Sequence, residues 1–292
     1  MAADILFITT TDAAGGRGRS LDRLLSSIDG ALARSDWQML LLVQRSSSGA
    51  DIAERLPANV EVGTIARRVS ASHARNLLVH RARERGLFTE VPLVAFPDDD
   101  CWYPDGSLEC IRNSFRSDQT LDFWFCRYAS APQSPGRAPP MRAPSVFQVA
   151  ARASSNTMFL RSRIVENIGE FDEDLGIGTK NNGGEDTDYA LRAFRRARKC
   201  RFVDRALIGH RDHDPQLRSR YFCGSLIAIA RHTANRPASV LLLLRKLAVG
   251  GFLVATHHMS SREFGTAFRA AFSAKTGWRT APAPSRSRGR VA

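Results

Sequence analysis

Leu93-Val94-Ala95-Phe96-Pro97-Asp98-Asp99-Asp100 decides how the rest of the chain is read. Four apolar residues have the composition of a strand buried on both faces, and three carboxylates follow at its end. Outward from it the first half alternates. Ile5–Thr9 and Met39–Val43 are further apolar runs, and Val60–Ile65 is a weaker one. Between them, Leu21–Ala33 carries apolar residues at helical spacing, and Ala71–Arg85 reads as a helix with Ser70 or Ser72 as N-cap. Leu108–Phe115 reads as a helix and Leu121–Tyr128 as a strand. The alternation predicts an α/β fold with a mostly parallel sheet and helices on both faces. Such sheets bind ligands beyond the carboxyl ends of their strands, where the acids lie.

Farther on the pattern loosens. Ala131–Ser145, with five prolines, reads as a loop. Asn156–Leu160 is the next expected strand and Ser162–Ile168 a short helix. Asp174–Gly184, with four glycines and two asparagines, is an irregular loop. A helix over Glu185–Lys199 and a strand over Arg201–Ile208 follow, and residues 215–272 look mainly helical. Thr276 onward is rich in Pro, Ser and Arg and reads as disordered. The expected division is a core over 1–213, a helical region over 214–274 that packs on the core or faces a membrane, and a basic tail over 275–292.

The 292 residues, 43% hydrophobic, suffice for a substantial core and argue against general disorder. The formal charge is +13. Lys275, Arg279, Arg286, Arg288 and Arg290 supply five of these charges, and removing them leaves +8 for residues 1–274. Such a field suits anionic partners without choosing among them. Five cysteines with no C-x-x-C pair disfavour a disulfide framework or zinc ribbon and fit a reducing compartment. The first residues lack the basic start of a secretion signal. Ala238–Ala255 is the nearest approach to a membrane span. Arg245-Lys246 interrupts it, so a buried or interfacial helix is expected.

Three adjacent carboxylates repel, and a hard divalent cation such as Mn²⁺ or Mg²⁺ relieves that cost while bridging to phosphates. A solvated turn capping the next helix is the competing reading of Asp98-Asp99-Asp100. The second acid cluster is Gly183-Gly184-Glu185-Asp186-Thr187-Asp188. Acids in a first helical turn serve as caps. Two preceding glycines also let the backbone approach a ligand, and a carboxylate there is well placed as a general base. His210, after a strand, suits a third metal ligand, and His213 follows it. Arg75, in the first turn of its helix, suits a phosphate or a solvated face. Gly15-Gly16-Arg17-Gly18 matches neither phosphate-binding fingerprint and reads as a flexible loop.

In order, ILFITTT, SHARNLLV, VAFPDDDCWYPDGSL, SSNTMFLRSRIVENIGEFDEDLG and GGEDTDYALRA, then a histidine after the next strand, resemble a family 2 glycosyltransferase of the GT-A fold over residues 4–213. The resemblance implies a Rossmann-like sheet and metal-dependent, inverting transfer from a nucleotide-diphosphate sugar to a glycan or lipid-linked acceptor. It implies that Asp98, Asp100 and His210 hold the metal and that Asp99 lies near the ribose. Asp186 matches the base and Glu185 its acceptor-binding neighbour, beside Gly183 and Gly184. Thr9, Thr10 and Arg75 fall on the donor side. The family's acid after the second strand is missing: the segment is Val43-Gln44-Arg45-Ser46-Ser47, which leaves Gln44 to face the base. A role in bacterial polysaccharide or glycolipid synthesis is implied, in the cytoplasm at the inner face of the membrane. Rival readings are a metal-dependent nucleotidyl- or phosphotransferase, which would release pyrophosphate, a basic nucleic-acid-binding protein, and an inactive scaffold.

Overall fold

The computed structural model describes residues 3–47, 56–136, 140–212, 217–234 and 236–277. Eight strands form one sheet in the order β3-β2-β1-β4-β7-β5-β8-β6. They are β1 (Ile5–Asp12), β2 (Trp37–Gln44), β3 (Val60–Ile65), β4 (Leu93–Ala95), β5 (Leu121–Ala129), β6 (Met141–Arg142), β7 (Met158–Arg161) and β8 (Lys199–Gly209). β1 pairs in parallel with β2 and β4, β2 with β3, and β5 with β8. β7 runs antiparallel to both β4 and β5, and β6 antiparallel to β8. The carboxyl ends of β1, β2, β4, β5 and β8 therefore share one edge with the entry to β7, residues 155–157.

Strand alternation explains the two-sided core. Ile5 and Phe7 pack on one face with Leu24, Ile28, Leu108 and Phe115 of α1 (Gly18–Ala31) and α4 (Ser107–Ser117). Leu6 and Ile8 pack on the other with Ala74, Leu78, Val165 and Tyr189. Those come from α2 (Ala71–Glu84), α6 (Ser162–Ile168) and α7 (Glu185–Arg196). The short α3 (Leu87–Glu90) and α5 (Val146–Arg152) complete this layer. Both sheet faces are covered, which is why strands such as MLLLV need no polar alternation.

After β8 come α8 (Leu217–Arg220), α9 (Phe222–Arg231), α10 (Pro237–Ala255) and α11 (Ser261–Gly277). The last three enclose a separate apolar cluster around Phe222, Leu226, Leu242, Leu253 and Ala271.

Ser70 is the N-cap of α2, accepting from the His73 amide. The expected helix through Lys199 ends at Arg196, because Lys199 and Cys200 are taken into pairing with Leu121 and Phe123. The proline-rich loop holds β6, a two-residue strand on the sheet edge, where proline-rich chain is tolerated. Helix α11 runs one residue past Thr276. His213 and the rest of the tail, residues 278–292, lie outside the described residues. All five cysteines are free.

Candidate active site

The acid triplet is not a solvated turn. It leaves β4 into the shared edge of the sheet, and Asp99 and Asp100 are buried. Thr11, at the end of β1, donates its hydroxyl to Asp99 Oδ2 at 2.6 Å. Asp98 accepts from Asn156 Nδ2 at 3.1 Å, and its own amide donates to Asn156 Oδ1 at 2.8 Å. Asn156 lies at the entry to β7, so the reversed strand fixes the first acid of the triplet.

His210 follows β8, and its ring packs edge-on to Tyr128. Its Nδ1 is 2.9 Å from the Arg211 carbonyl oxygen. A carbonyl only accepts, so the proton sits on Nδ1 and Nε2 faces the acids, 3.1 Å from Asp100 Oδ1 and 4.0 Å from Asp98 Oδ2. Nε2 is buried without a well-aligned hydrogen bond. A nitrogen lone pair against a carboxylate needs positive charge between or upon them. Burial works against the imidazolium, but Asp100 and Asp98 outweigh it and raise the His210 pKa. Burial likewise works to raise Asp100, and His210 and Arg17 outweigh it, holding that carboxyl well below its ordinary value. One ligand atom each from Asp98, Asp100 and His210 lies within 4.8 Å of the others. Two carboxylate oxygens and an imidazole nitrogen suit Mn²⁺ or Mg²⁺, and the orphaned Nε2 fits that occupant.

Arg75 joins the two acid clusters. Its side chain is only 6% exposed. One guanidinium nitrogen donates to Asp98 Oδ1 at 2.8 Å and to Ser155 Oγ at 2.8 Å, and another to Asp186 Oδ1 at 3.2 Å. This differs from an arginine displayed to a phosphate or to solvent: in this structure its bonds go inward. The other Asp186 oxygen accepts from the Ser155 amide at 3.0 Å and hydroxyl at 3.2 Å. Burial, with Asp98 nearby, raises the Asp186 pKa against the pull of Arg75. Glu185 is pushed up to about 7 by burial and by Asp186.

The glycine loop covers Glu185. Its Gly176 has φ +108, and a Cβ there would stand 2.6 Å from Ser72 Oγ and 3.4 Å from Glu185 Cδ. Gly183 and Gly184 also have left-handed φ. Their close approach is to protein: a Cβ on Gly184 would stand 2.3 Å from the Gly224 backbone of α9, and one on Gly183 3.0 Å from Tyr221. Asp188 is drawn away from the cleft, to His232 at 2.9 Å and Arg192 at 2.8 Å. It ties α7 to the end of α9.

On the donor side the expectations separate. Thr9 is buried within the sheet and its hydroxyl has no partner, while Thr10 is partly exposed. Gln44 is buried, and its Oε1 accepts from the Val69 amide at 2.8 Å, pinning the chain before α2. The carboxylate at this edge is Asp12 of β1, in register with Gln44 and bound by Arg45 at 2.7 and 2.6 Å. Sequence reasoning also missed the arginines on the acids. Arg17 reaches Asp100 Oδ2 at 2.7 Å and Asp99 Oδ1 at 3.5 Å, and Arg211 lies 3.6 Å from Asp100. Arg23 lies over the Trp102 ring and donates to the Asp100 carbonyl. The one local signal was Arg17 among glycines.

No known family profile matches this sequence, and no curated protein matches it by sequence. Solved structures match in fold. S. aureus TarS 1–349 in complex with UDP-GlcNAc gives a TM-score of 0.61 at 15% identity, over 84% of this chain and 71% of that one. Its complex with UDP gives 0.61 at 16% identity, over 84% and 70%. The same fragment in a third structure gives 0.59 at 15% identity, over 82% and 69%. With the sheet order above, this likeness shows the expected fold: a GT-A type, mostly parallel sheet with helices on both faces and further helices at the C-terminus.

Proposed function

We propose that the chain is a glycosyltransferase that moves a sugar from a nucleotide-diphosphate donor to an acceptor hydroxyl, with inversion and with Mn²⁺ or Mg²⁺. The observation that carries this reading is the meeting of Asp98, Asp100 and His210 in one cluster, with Asp186 tied to it through Arg75. The TarS complexes hold UDP and UDP-GlcNAc, which supports a nucleotide-diphosphate sugar as the donor class. Residues 1–213 are then the catalytic core and 214–274 the helical region packed on it.

Asp98, Asp100 and His210 would hold the cation, which when bound offsets charge on the departing diphosphate. Asp186 accepts the proton of the acceptor hydroxyl at a carboxylate oxygen. Its raised pKa strengthens it as a base, and Ser155 and Arg75 fix its direction. Attack opposite the leaving group inverts the anomeric carbon. Glu185, close to half-protonated near neutral pH, can hydrogen-bond the acceptor in either role, while Gly183 and Gly184 shape the wall beside it. Thr10 and Asp99 are proposed for the nucleotide side, with the buried Thr9 and Gln44 supporting the wall behind them.

The acceptor we propose is a glycan or lipid-linked sugar of a bacterial polysaccharide or glycolipid, met at the inner face of an anionic membrane. Among the described residues, Pro237–Ala255 is the one helix long and apolar enough to cross a membrane, with mean hydropathy 1.9. Leu241, Leu244 and Phe252 are more than half exposed on it. Residues 236–269, which span this helix and reach into the next, carry Arg236, Arg245, Lys246, Arg262 and Arg269 against one acid, Glu263, which favours an anionic lipid surface over a second copy. Flotation with phosphatidylglycerol liposomes at low and moderate salt tests this. Protein left at the bottom in both salts removes the membrane.

The catalytic reading is tested with nucleotide sugars and Mn²⁺. Release of nucleoside diphosphate is expected, and pyrophosphate release would instead identify a nucleotidyltransferase. Asp186→Asn should bind donor and transfer nothing; transfer at the wild-type rate would remove Asp186 as the base.

A further inference from the structure

The acids of the proposed metal site are already paired with the protein's own arginines. Asp98 is held by Arg75, Asp99 and Asp100 by Arg17, and Asp100 also by Arg211. Arg75 is shared with Asp186, so three arginines face four aspartates. Arg17 occupies Asp100 Oδ2 and Arg211 lies against the same oxygen, so a dication that takes Asp100 as a ligand competes with an arginine, and one must give way. Arg75 cannot move, because it is buried and bonded on both sides. Arg23 is stacked on Trp102. Arg211 lies farther off, at 3.6 Å.

Arg17 has room to move and holds the nearer contact to Asp100, 2.7 Å against 3.6 Å for the more exposed Arg211. Its side chain is 35% exposed and it stands at the start of α1. Gly16, at φ +66, and Gly18 flank it, and neither has an atom within 4 Å of where its Cβ would be. Its partner oxygen, Asp100 Oδ2, belongs to a proposed metal ligand. Its head therefore lies within a side chain's reach of any phosphate the cation carries, and a guanidinium fork suits a diphosphate.

We infer that Arg17 is an exchangeable counter-ion: it holds Asp99 and Asp100 in the free protein, yields Asp100 to the divalent cation, and then binds the diphosphate of the donor. This rests on the proposed function and adds a binding residue to it. An arginine with only a structural role would support both ligands, and its loss would weaken both. An exchanging arginine competes with the metal and assists the phosphate, so its loss has opposite effects on the two.

The test uses the full chain and two probes. Mn²⁺ alone is titrated by electron paramagnetic resonance. Inorganic pyrophosphate, which carries the charge without a base, is titrated by calorimetry at saturating Mn²⁺. Arg17→Ala should bind Mn²⁺ about three- to tenfold more tightly and Mn-pyrophosphate about tenfold more weakly than wild type. Arg19→Ala, an exposed arginine two residues on, makes the same change in net charge and should leave both affinities within twofold. Weaker or unchanged Mn²⁺ binding by Arg17→Ala overturns the exchange while leaving the metal site standing. A wild-type protein that binds no Mn²⁺ overturns the site and the exchange together. If Arg19→Ala matches Arg17→Ala, the effect is one of net charge, and the exchange falls.

Discussion

Replacing Arg75 with Gln removes the strut between the acid clusters, and its cost follows from the geometry. The guanidinium is buried and bonded to Asp98, Asp186 and Ser155. Taking one partner from a buried ion pair costs about 3–5 kcal/mol. Asp98 is 40% exposed and Asp186 26%, so water recovers part of this, and about 3 kcal/mol is expected. At roughly 2–3 °C per kcal/mol for a chain of this size, the melting temperature should fall by about 6–9 °C at pH 8 in EDTA. The loss should depend on pH in a set direction. Asp186 and Glu185 already have raised pKa values, and without Arg75 they rise further. The folded state then binds more protons than the unfolded one, so stability falls as pH rises. Calorimetry at pH 5 and pH 8 should show the Arg75→Gln penalty at pH 5 reduced to less than half, with part of the pH 8 loss recovered by Mn²⁺. An equal loss at both pH values, or a loss under 1 °C at pH 8, would refute the electrostatic role.

Three further outcomes are expected. Gly184→Ala drives a Cβ to 2.3 Å from the Gly224 backbone at a φ of +88, so it should cost more than about 3 kcal/mol in urea unfolding, whereas Gly18→Ala, in open space, should cost under about 1. Glu185, raised to about 7, favours the folded state less as pH climbs from about 4.5 to 7, which gives a slope worth roughly 3 kcal/mol; Glu185→Gln should flatten it, and an unchanged pH–stability curve would contradict the burial argument. His210→Ala should weaken Mn²⁺ binding about 10- to 100-fold by paramagnetic titration, and full retention would take His210 out of the ligand set.

Much of the fold was legible because its strands are buried on both faces. ILFIT, MLLLV and LVAF read as strands buried on both faces of an α/β sheet; the structure extends the first two by three residues each and ends the third at Ala95, one residue short. What failed locally failed for tertiary reasons. Lys199 continues a helical pattern but pairs with Leu121, and no local rule states that preference. In the site, the residues alone left the acid triplet open to a solvated turn and His210 without a fixed role; the resemblance grouped Asp98, Asp100 and His210, and the structure brings these three together. Arg17 was not: it lies 83 residues from Asp100, in a loop whose glycines suggested only flexibility. Gly183 and Gly184 were read as room for a ligand. The room is taken by α9, which a sequence pattern over 215–272 could not dock.

The two readings of the acid triplet, solvated turn or ligand site, make different demands on the rest of the chain. A solvated turn needs water and nothing else. Here Asp99 and Asp100 are buried, and their partners come from β1, the start of α1 and the end of β8. Asp98 and Asp186 draw on α2 and on the reversed β7. Had β7 run parallel to β4, Ser155 and Asn156 would lie at the far end of the sheet and neither acid would be held. Burying ion pairs in this way adds little net stability, since apolar side chains of similar volume serve a fold as well or better. A cleft that gathers Asp98, Asp99, Asp100, Asp186 and Glu185 from two distant segments, and shifts several of their pKa values, is costly as architecture and intelligible as chemistry. The burial of these charges therefore points to a charged ligand between them.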